Sequence, residues 1–152
     1  MKKVFVYLIG LAIVVPFFNA VAADFGKPED AVKYRKAAMS LMGSHFKGMA
    51  AVIKGQSPYD KDAFLAEAQL FDTLSSLPWE AFAVMGTDKG DTTMTAEALE
   101  NPDKFKAETQ QFQSAVKGYI SAAESGDLGA IKSAFGEVAK SCKSCHEAFR
   151  KK

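Results

Sequence analysis

The feature that most constrains the fold of this chain is an unbroken apolar stripe near its C-terminus. Between Leu128 and Phe149 an apolar residue recurs every three or four positions. This spacing places the side chains on one face of an α-helix, whereas a half-buried strand would show strict alternation. Asp127 stands where an N-cap belongs. The stripe consists of Leu128, Ile131, Phe135, Val138, Cys142, Cys145 and Phe149.

Three earlier segments, at about 28–54, 60–76 and 101–126, show the same helical spacing. Proline or a capping residue opens each of them, and glycine or proline follows each end. No segment shows convincing strand alternation. Four amphipathic helices bury their apolar faces most economically against one another. The sequence therefore predicts an all-α protein, an antiparallel up-down four-helix bundle.

The connection between the second and third predicted helices, residues 77–100, is long for a compact domain. A short helix is expected within it at 95–99. It also carries two large aromatic residues, Trp79 and Phe82. Such residues either cap a hydrophobic core or form the wall of a cofactor site, and both interpretations stay open at this point.

The N-terminus has the order of a secretory signal peptide. Lys2 and Lys3 precede an apolar run, and small residues cluster at 20–23. The run is shorter than the roughly 20 apolar residues of a membrane span. We expect residues 1–23 to be a signal peptide, residues 24–152 to be one exported domain and the mature protein to have no stable membrane anchor. An uncleaved anchor is the alternative.

The charge of the chain is nearly balanced. It has 19 basic and 18 acidic residues, and two of the basic ones lie in the predicted signal peptide. A nucleic-acid-binding protein would show a basic patch or stripe. The one dense basic cluster, residues 150–152, follows the last predicted helix, where cations complement the helix dipole. Nucleic acid is therefore not an expected partner.

The last helix contains the motif C-x-x-C-H at residues 142–146. Cys142 and Cys145, three residues apart, share one helix face and can each bond a vinyl group of one porphyrin. His146, one turn after Cys142, can then reach the iron as an axial ligand. The motif is the signature of c-type haem attachment, so we expect one covalent haem c.

Three other interpretations of the two cysteines fit the sequence less well. A thioredoxin-like redox pair would need a βαβ context, and a zinc site would need about four ligands. A disulfide, common in exported proteins, would explain neither His146 nor the position within a helix. Haem attachment accounts for all three residues.

With these features the chain resembles the cytochrome c′ family, whose members are well-known up-down bundles with a haem motif near the C-terminus. The resemblance covers the whole mature chain. It rests on the stretches 27–30, 34–35, 54–56, 58–60 and 77–79, and on Phe82, the haem motif and Arg150.

The resemblance implies a five-coordinate iron held by His146, with an open but crowded distal side. Met39 occupies the crowding position, and Trp79 and Phe82 match aromatic residues around it. Arg150 matches a residue on the proximal side of the iron.

The same resemblance places basic residues of the first helix at the haem edge. Arg35 is expected to pair with a propionate, and Lys36 stands beside it. Asp91, in the long connection, is a further candidate for the propionate region.

Met39 leaves the coordination open, because a methionine thioether can ligate iron. His146/Met39 ligation would give a low-spin electron carrier. The first hypothesis is a periplasmic monohaem cytochrome that binds NO or CO and exchanges electrons with an unidentified redox protein. The alternative is a six-coordinate electron shuttle. The sequence shows no distal acid–base residue, so an enzyme is not expected, and homodimerisation is a family-level expectation.

Overall fold

The computed structural model describes residues 24–151, and the predicted signal peptide at residues 1–23 lies outside the described residues. Within the described range no β-strand forms, and one isolated bridge joins Met94 to Arg150. The predicted all-α class is confirmed. The helices are α1 (Pro28–Ile53), α2 (Lys61–Ser75), α3 (Glu97–Glu100), α4 (Pro102–Ser125) and α5 (Leu128–Phe149), with a 3-10 turn at Glu80–Phe82.

The four long helices α1, α2, α4 and α5 form the predicted bundle. α4 packs along both α2 and α5, and α1 packs along α2. Contact between α1 and α5 is sparse. The bundle is therefore closed on three sides and parted on the fourth, between its first and last helices.

The ends of the helices follow the predicted capping residues with one exception. The carboxylates of Asp60 and Asp127 each accept a hydrogen bond from a backbone N–H three residues later, at 2.9 Å. Gly126 ends α4 in the left-handed conformation, at φ 76°, which favours glycine. Asn101 stands at the N-cap of α4 but makes no capping bond. The preceding short helix, α3, begins two residues later than predicted.

The core lies between all four long helices, α1, α2, α4 and α5. Tyr119, Phe71, Val116, Ile131 and Val138 are almost fully buried there, and burial of each such side chain contributes about 1.5–3 kcal/mol. One expected core residue is exposed: Leu128 keeps 48% of its surface. It is the first residue of α5, and burial along the stripe begins at Ile131.

Candidate functional site

A cavity of about 640 Å³ opens where α1 and α5 part. Its volume falls within the roughly 300–1,000 Å³ of small-molecule and cofactor sites. Helix α5, helix α1 and the connection 77–100 form its walls. We call the side formed by α5 the α5 wall and the side formed by the connection 77–100 the loop wall. All ten residues predicted for the site line it: Arg35, Lys36, Met39, Trp79, Phe82, Asp91, Cys142, Cys145, His146 and Arg150.

The α5 wall carries the three residues of the C-x-x-C-H motif. Cys142 and Cys145 are half-buried free thiols. Burial raises the pKa of Cys142, and burial, together with Glu108 and Cys142, raises the pKa of Cys145 to about 11. Both sulfurs are therefore protonated thiols at neutral pH.

His146 is suited to ligate a metal on the same wall. Burial, followed by the nearby charge of Arg150, lowers the pKa of His146. The imidazole is therefore neutral at pH 7 and keeps a nitrogen lone pair free, which is the form that binds iron.

Glu108 on α4 contacts the haem-motif segment of α5, and no pattern in the sequence indicates this contact. Ser144, between the two cysteines, donates a hydrogen bond from Oγ to Glu108 Oε1 at 3.1 Å. The other carboxylate oxygen of Glu108 is buried and has no hydrogen-bond partner among the described residues. The haem-motif segment is thus tied to α4 by a polar contact as well as by apolar packing.

Trp79 lies near the start of the loop wall and is held by one hydrogen bond and by contacts with other rings. The indole N–H donates to the backbone oxygen of Ser75 at 2.6 Å. The ring stacks with Phe82, with centroids 6.1 Å apart, and meets Phe112 of the core edge-on at 5.7 Å. Trp79 thus packs on the core and also lines the cavity.

Arg35 holds the loop wall against α1, a role that the sequence did not reveal. It is only 3% exposed. Its guanidinium donates to the backbone oxygen of Thr87 at 2.5 Å, to Thr92 Oγ1 at 2.6 Å and to the backbone oxygen of Ala81 at 3.5 Å. It also lies over the ring of Phe82, 4.9 Å from the centroid. A guanidinium has five N–H donors, so pairing with a propionate would use those that the loop leaves free.

Lys36 and Asp91 are paired with each other at the rim of the cavity. Lys36 Nζ lies 2.7 Å from Asp91 Oδ2, and their side chains are 52% and 96% exposed. The hydrogen bond from Lys36, and then its charge, lowers the pKa of Asp91. Of the two, only Lys36 would attract an anionic propionate, so Asp91 would act through Lys36 rather than by direct contact.

The C-terminal end of α5 is joined to the loop wall through the backbone. Thr95 N–H donates to the oxygen of Phe149 at 2.9 Å, and Lys151 N–H donates to the oxygen of Thr93 at 2.7 Å. Arg150 lies between these two bonds and lines the cavity. The loop wall is thus attached to α1 at one side and to the end of α5 at the other.

Several further apolar residues line the cavity, and the sequence did not predict them for the site. They are apolar residues at helical stripe positions or in the loop, and periodicity does not distinguish a core position from a cavity position. They include Met42, Phe46, Phe71, Met94, Phe105, Phe112 and Phe149. With Met39, Trp79 and Phe82 they make the interior of the cavity apolar and aromatic.

Comparison with known proteins supplies the family. The profile of the family described as Cytochrome C′ matches residues 30–150. The chain belongs to the cytochrome c′ family. It is 48% identical to cytochrome c′ of Alcaligenes xylosoxydans xylosoxydans over 129 residues, 85% of this chain and 99% of that protein. It is 40% identical to cytochrome c′ of Rubrivivax gelatinosus over 130 residues, 85% of this chain and 100% of that protein.

Solved structures of the family superpose well on this chain. One is the nitric oxide complex of a leucine-to-alanine variant of cytochrome c prime from Alcaligenes xylosoxidans, with a TM-score of 0.80 and 46% identity. The superposition covers 85% of this chain and 99% of the chain in that structure. Another is the carbon-monoxide-bound form of a leucine-to-glycine variant from the same organism, with a TM-score of 0.80, 46% identity and coverage of 85% and 100%.

Membership of the cytochrome c′ family confirms the predicted four-helix bundle and the predicted cofactor. The protein is a monohaem c-type cytochrome with one covalent haem c. In the described part of the chain, none of the helices combines the length and the apolarity needed to cross a membrane.

The cavity fits haem c on chemical grounds. Two adjacent thiols and a neutral imidazole stand on one wall, aromatic and aliphatic side chains fill the interior, and basic groups stand at the rim. These are the features needed to bond the vinyl groups, ligate iron, bury a porphyrin and receive its propionates.

Proposed function

We propose that this protein is a periplasmic, five-coordinate cytochrome that binds NO or CO. In this proposal Cys142 and Cys145 hold the haem covalently, and His146 ligates its iron. When bound, the haem supplies an iron that takes up a diatomic ligand and changes between the ferric and ferrous states. The residues of the cavity decide what reaches that iron and how it is held.

The observation that carries the proposal is the lack of a free hydrogen-bond donor among the three distal residues. Met39 and Phe82 have no polar hydrogen, and Trp79 already donates its N–H to the oxygen of Ser75. Bound dioxygen depends on a donor for much of its stabilisation, whereas NO and CO depend on one much less. The distal side therefore favours NO and CO over dioxygen.

The family supports the gas-binding part of the proposal. Solved structures of cytochrome c prime from Alcaligenes xylosoxidans include nitric oxide and carbon monoxide complexes. The predicted signal peptide supports the periplasmic location. The family resemblance supports homodimerisation and the exchange of electrons with an unidentified redox protein. We assign no catalytic turnover to the site.

The proposal is tested by CO titration of the ferrous, haem-loaded protein and its Met39→Ala variant. Met39 is half-buried and lines the cavity, so its removal should relieve crowding at the iron. We expect CO affinity to rise roughly tenfold, or about 1.4 kcal/mol. Leu41→Ala is the control, since Leu41 lies on the same helix, is 49% exposed and should leave affinity unchanged. Equal affinity in Met39→Ala and the parent would contradict the proposal.

The second candidate is a six-coordinate electron carrier. The observation in its favour is that the Met39 thioether lines the same cavity as His146 and belongs to a different helix. Met39→Leu discriminates, because leucine has a similar volume but cannot ligate iron. A low-spin spectrum that becomes high-spin in Met39→Leu would favour this candidate, and a high-spin spectrum in both proteins would reject it.

A further inference from the structure

A second cavity, of about 480 Å³, lies on the outer side of the loop wall. We call it the outer groove. Trp79, Phe82 and Phe105 line both the outer groove and the haem cavity. The rest of its surface is apolar where the loop forms it, and polar side chains between positions 106 and 113 of α4 form one rim. The outer groove and the haem cavity are thus separated by one layer of three aromatic side chains.

This layer, the aromatic partition, consists of rings in mutual contact. The centroids of Phe82 and Phe105 are 5.1 Å apart, those of Trp79 and Phe82 6.1 Å and those of Trp79 and Phe105 6.2 Å. The one polar hydrogen of the three rings is engaged by the oxygen of Ser75. An apolar molecule that passed between the rings would therefore displace no hydrogen bond.

The outer groove is open to solvent. Met85, on its edge, is 76% exposed, and Ala83 beside it is exposed as well. Solutes can therefore enter the groove without movement of a helix.

The aromatic partition belongs to elements other than α5 but packs against that helix, since Phe105 meets Phe149 edge-on with ring centroids 5.2 Å apart. Cys142, Cys145 and His146 all belong to α5, whereas the partition belongs to the loop wall and the first turn of α4. The partition is a boundary that the haem cavity shares with the outer groove. Because the proposed function places Trp79 and Phe82 on the distal side, the outer groove adjoins the side on which a sixth ligand would bind.

We propose that the outer groove is an access site for small apolar gases, which collect against the aromatic partition and cross it to reach the iron. The inference rests on the proposed gas-binding function. NO and CO are uncharged and weakly polar, so they lose little hydration on an aromatic floor, whereas a charged ligand would lose much. The groove is wider than a diatomic molecule, so the gas binds only against its floor, which is the aromatic partition.

An access site has a kinetic signature that distinguishes it from a binding contact. A substitution that obstructs the route without touching the bound ligand slows association and dissociation by the same factor. The equilibrium affinity is then unchanged. Met39→Ala, which acts at the iron itself, is expected to change affinity, so the two effects are separable.

The test combines xenon binding with CO kinetics on the full, haem-loaded protein. Xenon is an apolar probe of gas sites, and in crystals under xenon pressure we expect an atom against Trp79, Phe82 and Phe105 on the groove side. Ala83→Trp should fill the groove from its exposed edge. We expect it to lower the CO association and dissociation rates equally, by roughly threefold or more.

Matched variants keep the test decisive. Gln110→Trp fills the groove from α4 and should act like Ala83→Trp. Leu128→Trp adds the same ring at a position that is 48% exposed and lies at the opposite end of the bundle, and its rates should equal those of the parent. Unchanged rates in both filled variants, or xenon in the haem cavity alone, would overturn the access site while leaving CO binding intact. Absence of CO binding in the parent would refute the proposed function instead, and with it the access site.

Discussion

Two walls of the haem cavity, the α5 wall and the loop wall, are built in opposite ways. The α5 wall is one regular helix, and its three haem-binding residues are fixed relative to one another by helical geometry alone. The loop wall, residues 77–100, has only a 3-10 turn and a four-residue helix. It keeps its position through side chains that reach it from elsewhere, above all Arg35, whose three partners lie 46, 52 and 57 residues away in sequence. Local periodicity thus builds the wall that attaches the cofactor, and long-range contacts build the wall that selects the ligand.

The largest effect is expected on the α5 wall, from the double substitution Cys142→Ser and Cys145→Ser. With both thiols replaced no thioether bond can form, so covalent haem should be lost completely. Haem-specific staining of the denatured protein after electrophoresis measures this. Ser144→Ala, between the two cysteines, is the control and should retain covalent haem. Haem that stays bound in the denatured double variant would show that attachment lies elsewhere.

The next effect tests the loop wall through Arg35→Met. The substitution keeps an apolar stem but leaves the backbone oxygen of Thr87 and the hydroxyl of Thr92 without their donor. Loss of hydrogen bonds from a buried charged group should lower the free energy of unfolding by about 2–3 kcal/mol. Denaturant unfolding gives the value, and hydrogen exchange should locate the loosening in residues 80–92.

Lys33→Met is the matched control for Arg35→Met. Lys33 lies on the same helix with 79% of its side chain exposed, so its replacement should change stability by less than about 0.5 kcal/mol. If the two variants were equally stable, the loop wall would be held by packing alone, and the contrast between the walls would weaken.

A smaller effect is expected in the pH dependence of the haem-free protein. Burial raises the pKa of both thiols, that of Cys145 to about 11, so above the ordinary thiol pKa of about 8.5 the folded state holds more protons than the unfolded chain. This contribution to stability is full below that pH and is lost as the pH rises toward 11.

Urea unfolding at pH 7 and pH 10 checks this dependence on the α5 wall. The Cys142→Ala and Cys145→Ala double variant serves as the reference, because it lacks both thiols but retains every other titrating group. The parent should lose more stability between the two pH values than the double variant does. Equal losses would show that the thiols are not shielded from solvent.

The smallest effect is expected from Asp91→Asn at the rim of the loop wall. The ion pair of Asp91 with Lys36 is highly exposed, and such pairs contribute little. Because the pKa of Asp91 is lowered, its contribution is present above the ordinary carboxyl pKa and is lost as the pH falls. Unfolding at pH 7 in low and high salt should show a slight, salt-sensitive change, and the haem spectrum should not change. A large spectral change would place Asp91 in direct contact with the haem.

The same contrast explains what the sequence could predict. The four long helices, the caps at Asp60 and Asp127 and the haem motif all follow from spacing along the chain, and each was predicted. Trp79 and Phe82 stand out in the sequence as aromatic residues of an unusually long connection, but the sequence does not determine how they pack. The hydrogen bond from Trp79 to Ser75 spans only four residues, but the ring contacts of Trp79 with Phe105 and Phe112 of α4 follow from no local pattern.

The burial of Arg35 and the contact of Glu108 with Ser144 could not be predicted from the sequence. A single arginine on an amphipathic helix gives no sign that it is buried, and its bonds to Thr87 and Thr92 depend on the path of the loop. Glu108 has the ordinary position of a polar residue on α4, and only the packing of α4 on α5 brings it to Ser144. Both residues become recognisable only when elements distant in sequence meet.

The most direct test of the account is an optical spectrum of the matured protein, oxidised and reduced, with and without CO. An attached haem on α5 facing an open distal side predicts a high-spin reduced spectrum that shifts when CO is added. Sharp low-spin bands that do not respond to CO would place Met39 on the iron and contradict the gas-binding account.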